Sequence, residues 1–356
     1  MSRSPFKFLD SYQKEDRDHF FGRERETAQL YNAVRASNFV LVYGASGTGK
    51  TSIINCGLAN QFTDADWFPL FVRRGTDLNA SLQQTLCGQM SEAARARLAT
   101  APVADQVREL YLEHYRPLYL IFDQFEELFI LGDRQEQQTF YETVRQLLAA
   151  STTCKVLISI REEYIAALSA FEKVVPTLFD NRLRVERAND AALARVVMGT
   201  AVSAKITVTE PRTTVGQILD SIRDPRTGID LANLQIYLDR LWRADLARQG
   251  TSTPATVTFD PPLVAAVGTL DRVLSVFLDE ELAGIETALT QRGVRNARGV
   301  PLEVLFAFVT EEGTKRNLDL ASLQAALPPN RALKEPDVQF CLQELERIRL
   351  LRTLET

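Results

Sequence analysis

Histidine is nearly missing from this sequence: His19 and His114 are the only two among 356 residues, and neither stands beside a cysteine. The four cysteines, Cys56, Cys87, Cys154 and Cys341, are scattered without CxxC spacing. That scarcity argues against a zinc site and gives no disulfide framework, and it suits a reduced compartment. Long hydrophobic runs are lacking too. Stretches such as 118–122 fall far short of a membrane span, and the first ten residues hold no apolar segment of the kind a signal peptide needs. The expectation is a cytoplasmic protein without a membrane partner. Positive charge is in short supply, since 41 Lys and Arg against 46 Asp and Glu leave a net charge of -5. A broadly basic nucleic-acid surface is thereby disfavoured, and only a local patch could bind such a partner.

What is present is ordinary globular material, 45% hydrophobic and 24% charged. The length exceeds that at which single cores stop growing, so two or three packed units are expected. Short apolar runs at 38–43, 67–72, 118–122, 155–160 and 182–186 alternate with longer helical patterns. Three of these runs are apolar at successive positions, as in strands buried on both faces of a parallel sheet covered by helices. The run at 182–186 alternates instead, which predicts an edge strand with one wet face. After Asn189-Asp190, a good helix cap, the spacing is helical over 191–201, 214–222 and 231–246, with a turn at Asp224-Pro225-Arg226-Thr227-Gly228. The Thr- and Pro-rich stretch 250–262 predicts a linker, and 270–292 a long helix. Helical patterns at 301–309, 318–326 and 335–348 lead into a strand at 349–354, the order of a winged-helix-like unit. The fold class expected is α/β: a P-loop NTPase parallel sheet flanked by helices over 1–188, a helical lid over 189–260, and a helical or winged-helix-like domain over 261–356.

The sharpest local signal follows the first apolar run. Gly44-Ala45-Ser46-Gly47-Thr48-Gly49-Lys50-Thr51 is a full GxxxxGK[ST] phosphate loop between a strand and a helix that starts near Ser52. Small residues let backbone N–H groups curl around phosphates, and the new helix presents its positive end to them. Lys50 is expected on the β- and γ-phosphates, and the Thr51 hydroxyl on magnesium. By chance the pattern arises in on the order of one chain in a hundred, and its strand–loop–helix setting makes accident rarer still.

The run at 118–122 ends in Asp123, placed to hold magnesium directly or through water beside that loop. Glu126 and Glu127 follow in Asp123-Gln124-Phe125-Glu126-Glu127-Leu128. A carboxylate just past a strand end can orient and deprotonate an attacking water. Acids also suit the start of a solvated helix, the less favoured reading of the pair, and spacing does not choose between the two glutamates.

Together these residues resemble the STAND class of P-loop NTPases, in particular its bacterial novel STAND branch, allied to AAA+ ATPases and to NACHT and NB-ARC switches. The resemblance runs over about 5–170. The lead-in Pro5-Phe6-Lys7-Phe8-Leu9-Asp10 through Phe20-Phe21-Gly22-Arg23-Glu24 is similar to the segment that forms the adenine pocket, which implies Phe21, Gly22 and Arg23 near the base. For Phe20 and Phe21, core packing explains the aromatic rings as well. The stretch from Asp123 to Leu128 aligns without gaps to the NACHT pattern Asp-Gly-x-Asp-Glu-Leu. Arg161, closing the run Val156-Leu157-Ile158-Ser159-Ile160, stands where the family's sensor arginine contacts the γ-phosphate; that role is favoured over a surface ion pair with Glu162 or Glu163. The stretch from Leu234 to Trp242 is similar to the branch's lid segment. Two features depart from allied patterns: Gln124 replaces the glutamate AAA+ proteins carry there, and the Gly-x-Pro lid motif is missing. The chain also stops at Thr356 as the expected winged-helix strand begins, which the resemblance reads as a domain cut short.

What the resemblance implies is an ATP/ADP- and Mg2+-dependent switch: ADP holds a closed monomer, and a protein trigger or effector promotes exchange, opening and homo-oligomerisation. Two other readings stay open. One is a DNA-associated AAA+ loader or transposition regulator, for which Arg292, Arg295 and Arg298 form the single compact basic cluster. The other is a nucleotide-holding scaffold with little turnover.

Overall fold

Five apolar runs become five parallel strands, and the central three feed two cores at once. The computed structural model describes residues 4–7, 10–150, 154–249, 256–309, 316, 318–328, 333–348 and 350–351. Strands β1 (Phe39–Gly44), β2 (Phe68–Val72), β3 (Leu118–Phe122), β4 (Cys154–Arg161) and β5 (Arg182–Arg184) form one sheet in the order β2-β3-β4-β1-β5. Side chains of a strand alternate between faces. Phe39, Leu41, Leu118, Leu120 and Phe122 therefore join one core, while Val40, Val42, Tyr119 and Ile121 join the other. Neither face of β1 or β3 has a wet side to alternate with, which is why their sequences read as continuous apolar runs. Strand β5 is an edge strand, and its exposed–buried–exposed pattern fits the alternation in its sequence.

Helices cover both faces. Glu24–Ala36 packs Leu30 and Val34 on one side, with the helical run Ile53–Leu58. Leu78–Gln89, Val103–His114 and Arg134–Ala149 cover the other. Asp77 and Asp133 cap two of these helices by accepting N–H groups from Ala80 and Glu136.

Beyond the sheet, Asp190–Ser203, Pro211–Ile222 and Leu231–Gln249 form a helical region where the lid was expected, here called the lid; its buried residues include Leu193, Val197, Ile218, Leu234, Tyr237 and Leu241. The expected linker differs where it is described. Residues 250–255 lie outside the described ones, but β7 (Thr258–Phe259) pairs in parallel with β6 (Thr207–Val208), and Pro261–Val267 is a helix. Val257 and Phe259 alternate inward and are buried, and Asp245 accepts the Thr258 N–H at 2.9 Å. Threonine and proline content alone hid that short strand.

The chain divides into two compact units at Val267 and Gly268. The second contains the helices Leu270–Gln291, Val300–Ala307, Leu320–Ala326 and Glu335–Arg347, packed through Ile285, Leu289, Val304, Leu323, Cys341 and Leu345. Of the strand expected at 349–354 only Leu350 and Leu351 are described, and both donate their N–H to the Leu345 carbonyl. Within this unit Arg292 pairs with Asp337 and lies over the Phe340 ring, 4.4 Å from its centre, so one member of the basic cluster is already engaged. No single described helix is long and apolar enough to cross a membrane.

One buried ion pair fixes the segment after β2. Glu136 accepts two bonds from Arg74 at 2.8 Å and a third from the Leu78 N–H at 2.7 Å, with both side chains nearly inaccessible. Removing one partner of such a pair strands a charge in low dielectric. Glu136→Ala is therefore expected to lower stability by about 3–5 kcal/mol, read as a drop in the urea midpoint. Glu142→Ala, which breaks an exposed pair with Arg145, is expected to cost under about 1 kcal/mol in the same titration.

Candidate functional site

Strand order builds the site. Because β4 lies between β1 and β3, the carboxyl ends of three strands meet at one rim, where parallel α/β sheets bind their ligands. Register then sets who meets whom: Gly44 of β1 stands beside Arg161 of β4, and Phe122 of β3 beside Ile158. The residues that follow these ends are the phosphate loop, Arg161 with its acidic neighbours, and Asp123.

The loop turns tightly, with Gly47 at φ 73° and Gly49 at φ 88°. Those left-handed values strain any residue with a Cβ, so glycine is required there. Ala45 is half-buried and Ser46 exposed. Thr48 is buried and donates its hydroxyl to the Ala45 carbonyl at 2.9 Å. Lys50 opens the helix and donates to the Gly44 and Ala45 carbonyls at 2.7 and 2.9 Å. Burial lowers its pKa, and the Glu126 and Asp123 carboxylates oppose that shift. Thr51 donates its hydroxyl to Asp123, 3.1 Å from Oδ2 and 3.2 Å from Oδ1. Ser52 accepts the Tyr12 N–H at 3.1 Å, which ties the amino-terminal segment to the same helix.

Asp123 is buried at the tip of β3, and Arg73, the first residue after β2, reaches its Oδ2 at 3.0 Å. The chain then reverses. Gln124 adopts φ 57°, a left-handed conformation that explains a glycine at this position in the NACHT pattern. Phe125 turns inward against Phe140 and Phe171 and donates its N–H to the Ser159 carbonyl of β4 at 2.9 Å. That anchor aims Glu126 at the end of β4. Its buried carboxylate accepts the Arg161 N–H at 3.2 Å and lies 3.0 Å from the Arg161 Nε. The ion partner of Arg161 is thus Glu126 rather than Glu162 or Glu163, and Glu162 pairs with Arg184 instead. Glu127 starts the short helix Glu127–Ile130.

The amino-terminal residues serve the loop from behind. Arg23 is 3% exposed and donates to the Thr48 carbonyl at 2.7 Å and to Glu26 at 2.6 Å. Gly22, at φ 79°, lies so near the lid helix Asp190–Ser203 that a Cβ there would stand 2.7 Å from the Ala192 carbonyl oxygen. A side chain on Gly199 would likewise begin 2.5 Å from the Phe21 ring. What approaches these two glycines is the packing of the segment on the lid. Phe8 and Leu9 lie outside the described residues.

Sequence reasoning brought together the loop, Asp123, Glu126 and Arg161, and missed two charged neighbours. Arg73 was detectable as another charged residue at the carboxyl end of a parallel strand. Asp230 of the lid, whose carboxylate lies against Gly47, carried no local signal. Among the described residues no three His, Cys, Asp or Glu side chains gather in a metal cage. Magnesium suits the Thr51–Asp123 pair nonetheless, because it takes few protein oxygens and completes its shell with phosphates and water.

A parallel sheet of this order, a strand–loop–helix phosphate cradle and a carboxylate at the adjacent strand tip define a P-loop NTPase. The chain belongs to the novel STAND NTPase 1 family, whose model matches residues 5–356. No curated protein matches the sequence. Solved structures share the fold. The ORC2 protein of Aeropyrum pernix, solved as ADPNP-ADP complexes, aligns with a TM-score of 0.52 at 14% identity, covering 97% of this chain and 98% of that one. A Walker-type ATPase of Pyrococcus abyssi aligns at 0.51 and 14%, covering 96% and 93%. The ORC1 protein of Aeropyrum pernix, solved with DNA, aligns at 0.50 and 14%, covering 93% and 84%.

The Glu126–Arg161 contact is measurable. In a double-mutant cycle of Glu126→Gln and Arg161→Gln followed by urea unfolding, the two changes should couple by about 1–2 kcal/mol, since contacting charges depart from additivity. Strictly additive losses would show that the pair does not form.

Proposed function

We propose that this protein binds ATP with magnesium, hydrolyses it slowly, and uses the difference between ATP and ADP to switch its lid. The observation that carries the reading is the Thr51–Asp123 hydrogen bond, which sets a hydroxyl and a carboxylate against each other at the mouth of the phosphate loop. In this reading Gly44, Ala45, Ser46, Gly47, Thr48 and Gly49 wrap the phosphates with backbone N–H groups, and Ser52 lies at the start of the helix behind them. Lys50 exchanges its two carbonyl partners for β- and γ-phosphate oxygens. Thr51 and Asp123 hold the magnesium, which supplies charge neutralisation at the transferring phosphoryl group. Arg73, already on Asp123, adds positive charge at the same rim.

Glu126 orients the attacking water, and its pairing with Arg161 gives it a gate. While Arg161 holds the carboxylate, Glu126 is occupied; when Arg161 turns to a γ-phosphate, Glu126 is released to accept a hydrogen bond from the water. Glu127 is the second candidate for this work. Phe21, Gly22 and Arg23 place the segment beside the base, with Arg23 holding the loop through Thr48. A lid packed on that segment couples nucleotide state to lid position, and opening would expose surface for homo-oligomerisation or for a protein trigger or effector. The net charge of -5 weighs against a duplex-binding loader.

The test is ATP turnover by wild type, Lys50→Ala, Glu126→Gln and Glu127→Gln, each with magnesium and again with EDTA. Turnover is expected to fall about 10²–10³-fold in Glu126→Gln and to vanish with Lys50→Ala or chelation, while Glu127→Gln stays within a few-fold of wild type. Wild type no faster than Lys50→Ala, with ADP retained through purification, would replace the enzyme by a nucleotide-holding scaffold.

A further inference from the structure

The lid reaches the phosphate loop with a negative charge. Asp230 precedes the lid helix Leu231–Gln249 and caps it, accepting the Ala232 N–H on Oδ1 at 2.8 Å. Its other oxygen faces the loop: a Cβ built on Gly47 would stand 1.7 Å from Oδ2 and 2.5 Å from Cγ. The neighbouring Leu231 seats on the next glycine, its Cδ1 3.3 Å from where a Cβ of Gly49 would be. One turn on, Gln235 accepts the Lys7 N–H at 3.3 Å. Two successive lid residues therefore lie on the two left-handed glycines of the loop, and a third clasps the amino-terminal segment.

A carboxylate in that place works against the loop's chemistry. The nest of N–H groups and the helix start attract anions, and a phosphate chain bound there would share the loop with Asp230. In a partly screened site, repulsion from Asp230 would lower the affinity for a bound phosphate chain by roughly tenfold for each negative charge added. Mg-ATP carries one more negative charge than Mg-ADP. The repulsion therefore grows with phosphate number while the lid is docked and disappears when it lifts.

We propose that Asp230 is the specificity-determining residue by which the docked lid tells a nucleoside diphosphate from a triphosphate. Its charge makes the docked lid compatible with the diphosphate and disfavours the triphosphate. By linkage, a triphosphate then favours the lifted lid by the same factor. This inference rests on the switch reading above and names the group that converts phosphate charge into lid position.

The test is calorimetric binding of Mg-ADP and of the non-hydrolysable Mg-AMP-PNP to the full chain, for wild type and Asp230→Asn. Asparagine keeps the cap on Ala232 and removes only the charge; Asp230→Ser, a second capping residue, guards against an effect peculiar to the amide. Wild type is expected to bind ADP more tightly than AMP-PNP, and both variants to shrink that ratio about tenfold, mainly by strengthening the triphosphate analogue. Hydrogen exchange at Ala232–Leu234 should be faster with AMP-PNP than with ADP in wild type and similar with both in the variants. A ratio that stays within twofold of wild type in both variants overturns the role of Asp230, and if amide protection still responds to nucleotide the switch reading survives alone. Wild type that takes up neither nucleotide overturns both.

Discussion

The placement of β4 between β1 and β3 is the constraint on which the rest depends. A direct β1–β3 pair would leave no strand to carry Arg161 to the rim beside Gly44. With β4 inserted, the phosphate loop and Asp123 are still near enough for Thr51 to donate to the carboxylate, because Thr51 stands on the helix that leaves the loop rather than on the strand. Parallel pairing supplies the chemistry for a simple reason. All strands point the same way, so the residue following each strand faces a common rim. Gly44, Arg73, Asp123 and Arg161 are all terminal or first-following residues of their strands.

That rim holds opposite charges in two linked pairs, Arg73 with Asp123 and Arg161 with Glu126, with the Lys50 ammonium in the field of both carboxylates. Unpaired charges would be costly at this burial, and each acid has an arginine against it until something else competes for that arginine. The arginines are about half exposed while their acid partners are nearly buried. The mobile partner of each pair is therefore the cation. A polyanion arriving at the rim would meet two guanidinium groups able to turn toward it and two carboxylates fixed in position by packing. Phe125 does the fixing for Glu126, anchored in the aromatic cluster with Phe140 and Phe171.

Much of this was legible in the sequence because it is local. Continuous apolar runs marked buried parallel strands, alternation marked β5 as an edge, and the phosphate loop declared itself in eight consecutive residues. The choice between Glu126 and Glu127 was not legible, since both follow Asp123 at spacings a turn can accommodate. The left-handed Gln124 and the inward Phe125 decide which carboxylate faces β4, and both depend on packing rather than on pattern. Arg161 showed the same limit. Its sequence neighbours Glu162 and Glu163 were the obvious partners, yet its N–H and guanidinium meet an acid from another strand end. The strand Thr258–Phe259 escaped notice because two residues are too few to show a period, and only the pairing with Thr207–Val208 defines it.

Glycine placement links the loop to the lid. Gly47 and Gly49 are obliged to be glycine by their backbone angles, and bare Cα positions leave room for whatever lies above them. In this structure Asp230 and Leu231 lie there; in a nucleotide complex the phosphates press on the same loop. Gly22 and Gly199 repeat the arrangement behind the loop, where the missing side chains let the amino-terminal segment and the lid helix Asp190–Ser203 approach within van der Waals distance. A loop touched from one side by the lid and supported from the other by Arg23 has little freedom to adjust alone. Changes at its surface must then be absorbed by the elements packed on it. Of these, the lid segment meets the loop through the side chains of Asp230 and Leu231, whereas the strands behind the loop are locked by a ladder of hydrogen bonds. The boundary held by side chains is the softer of the two.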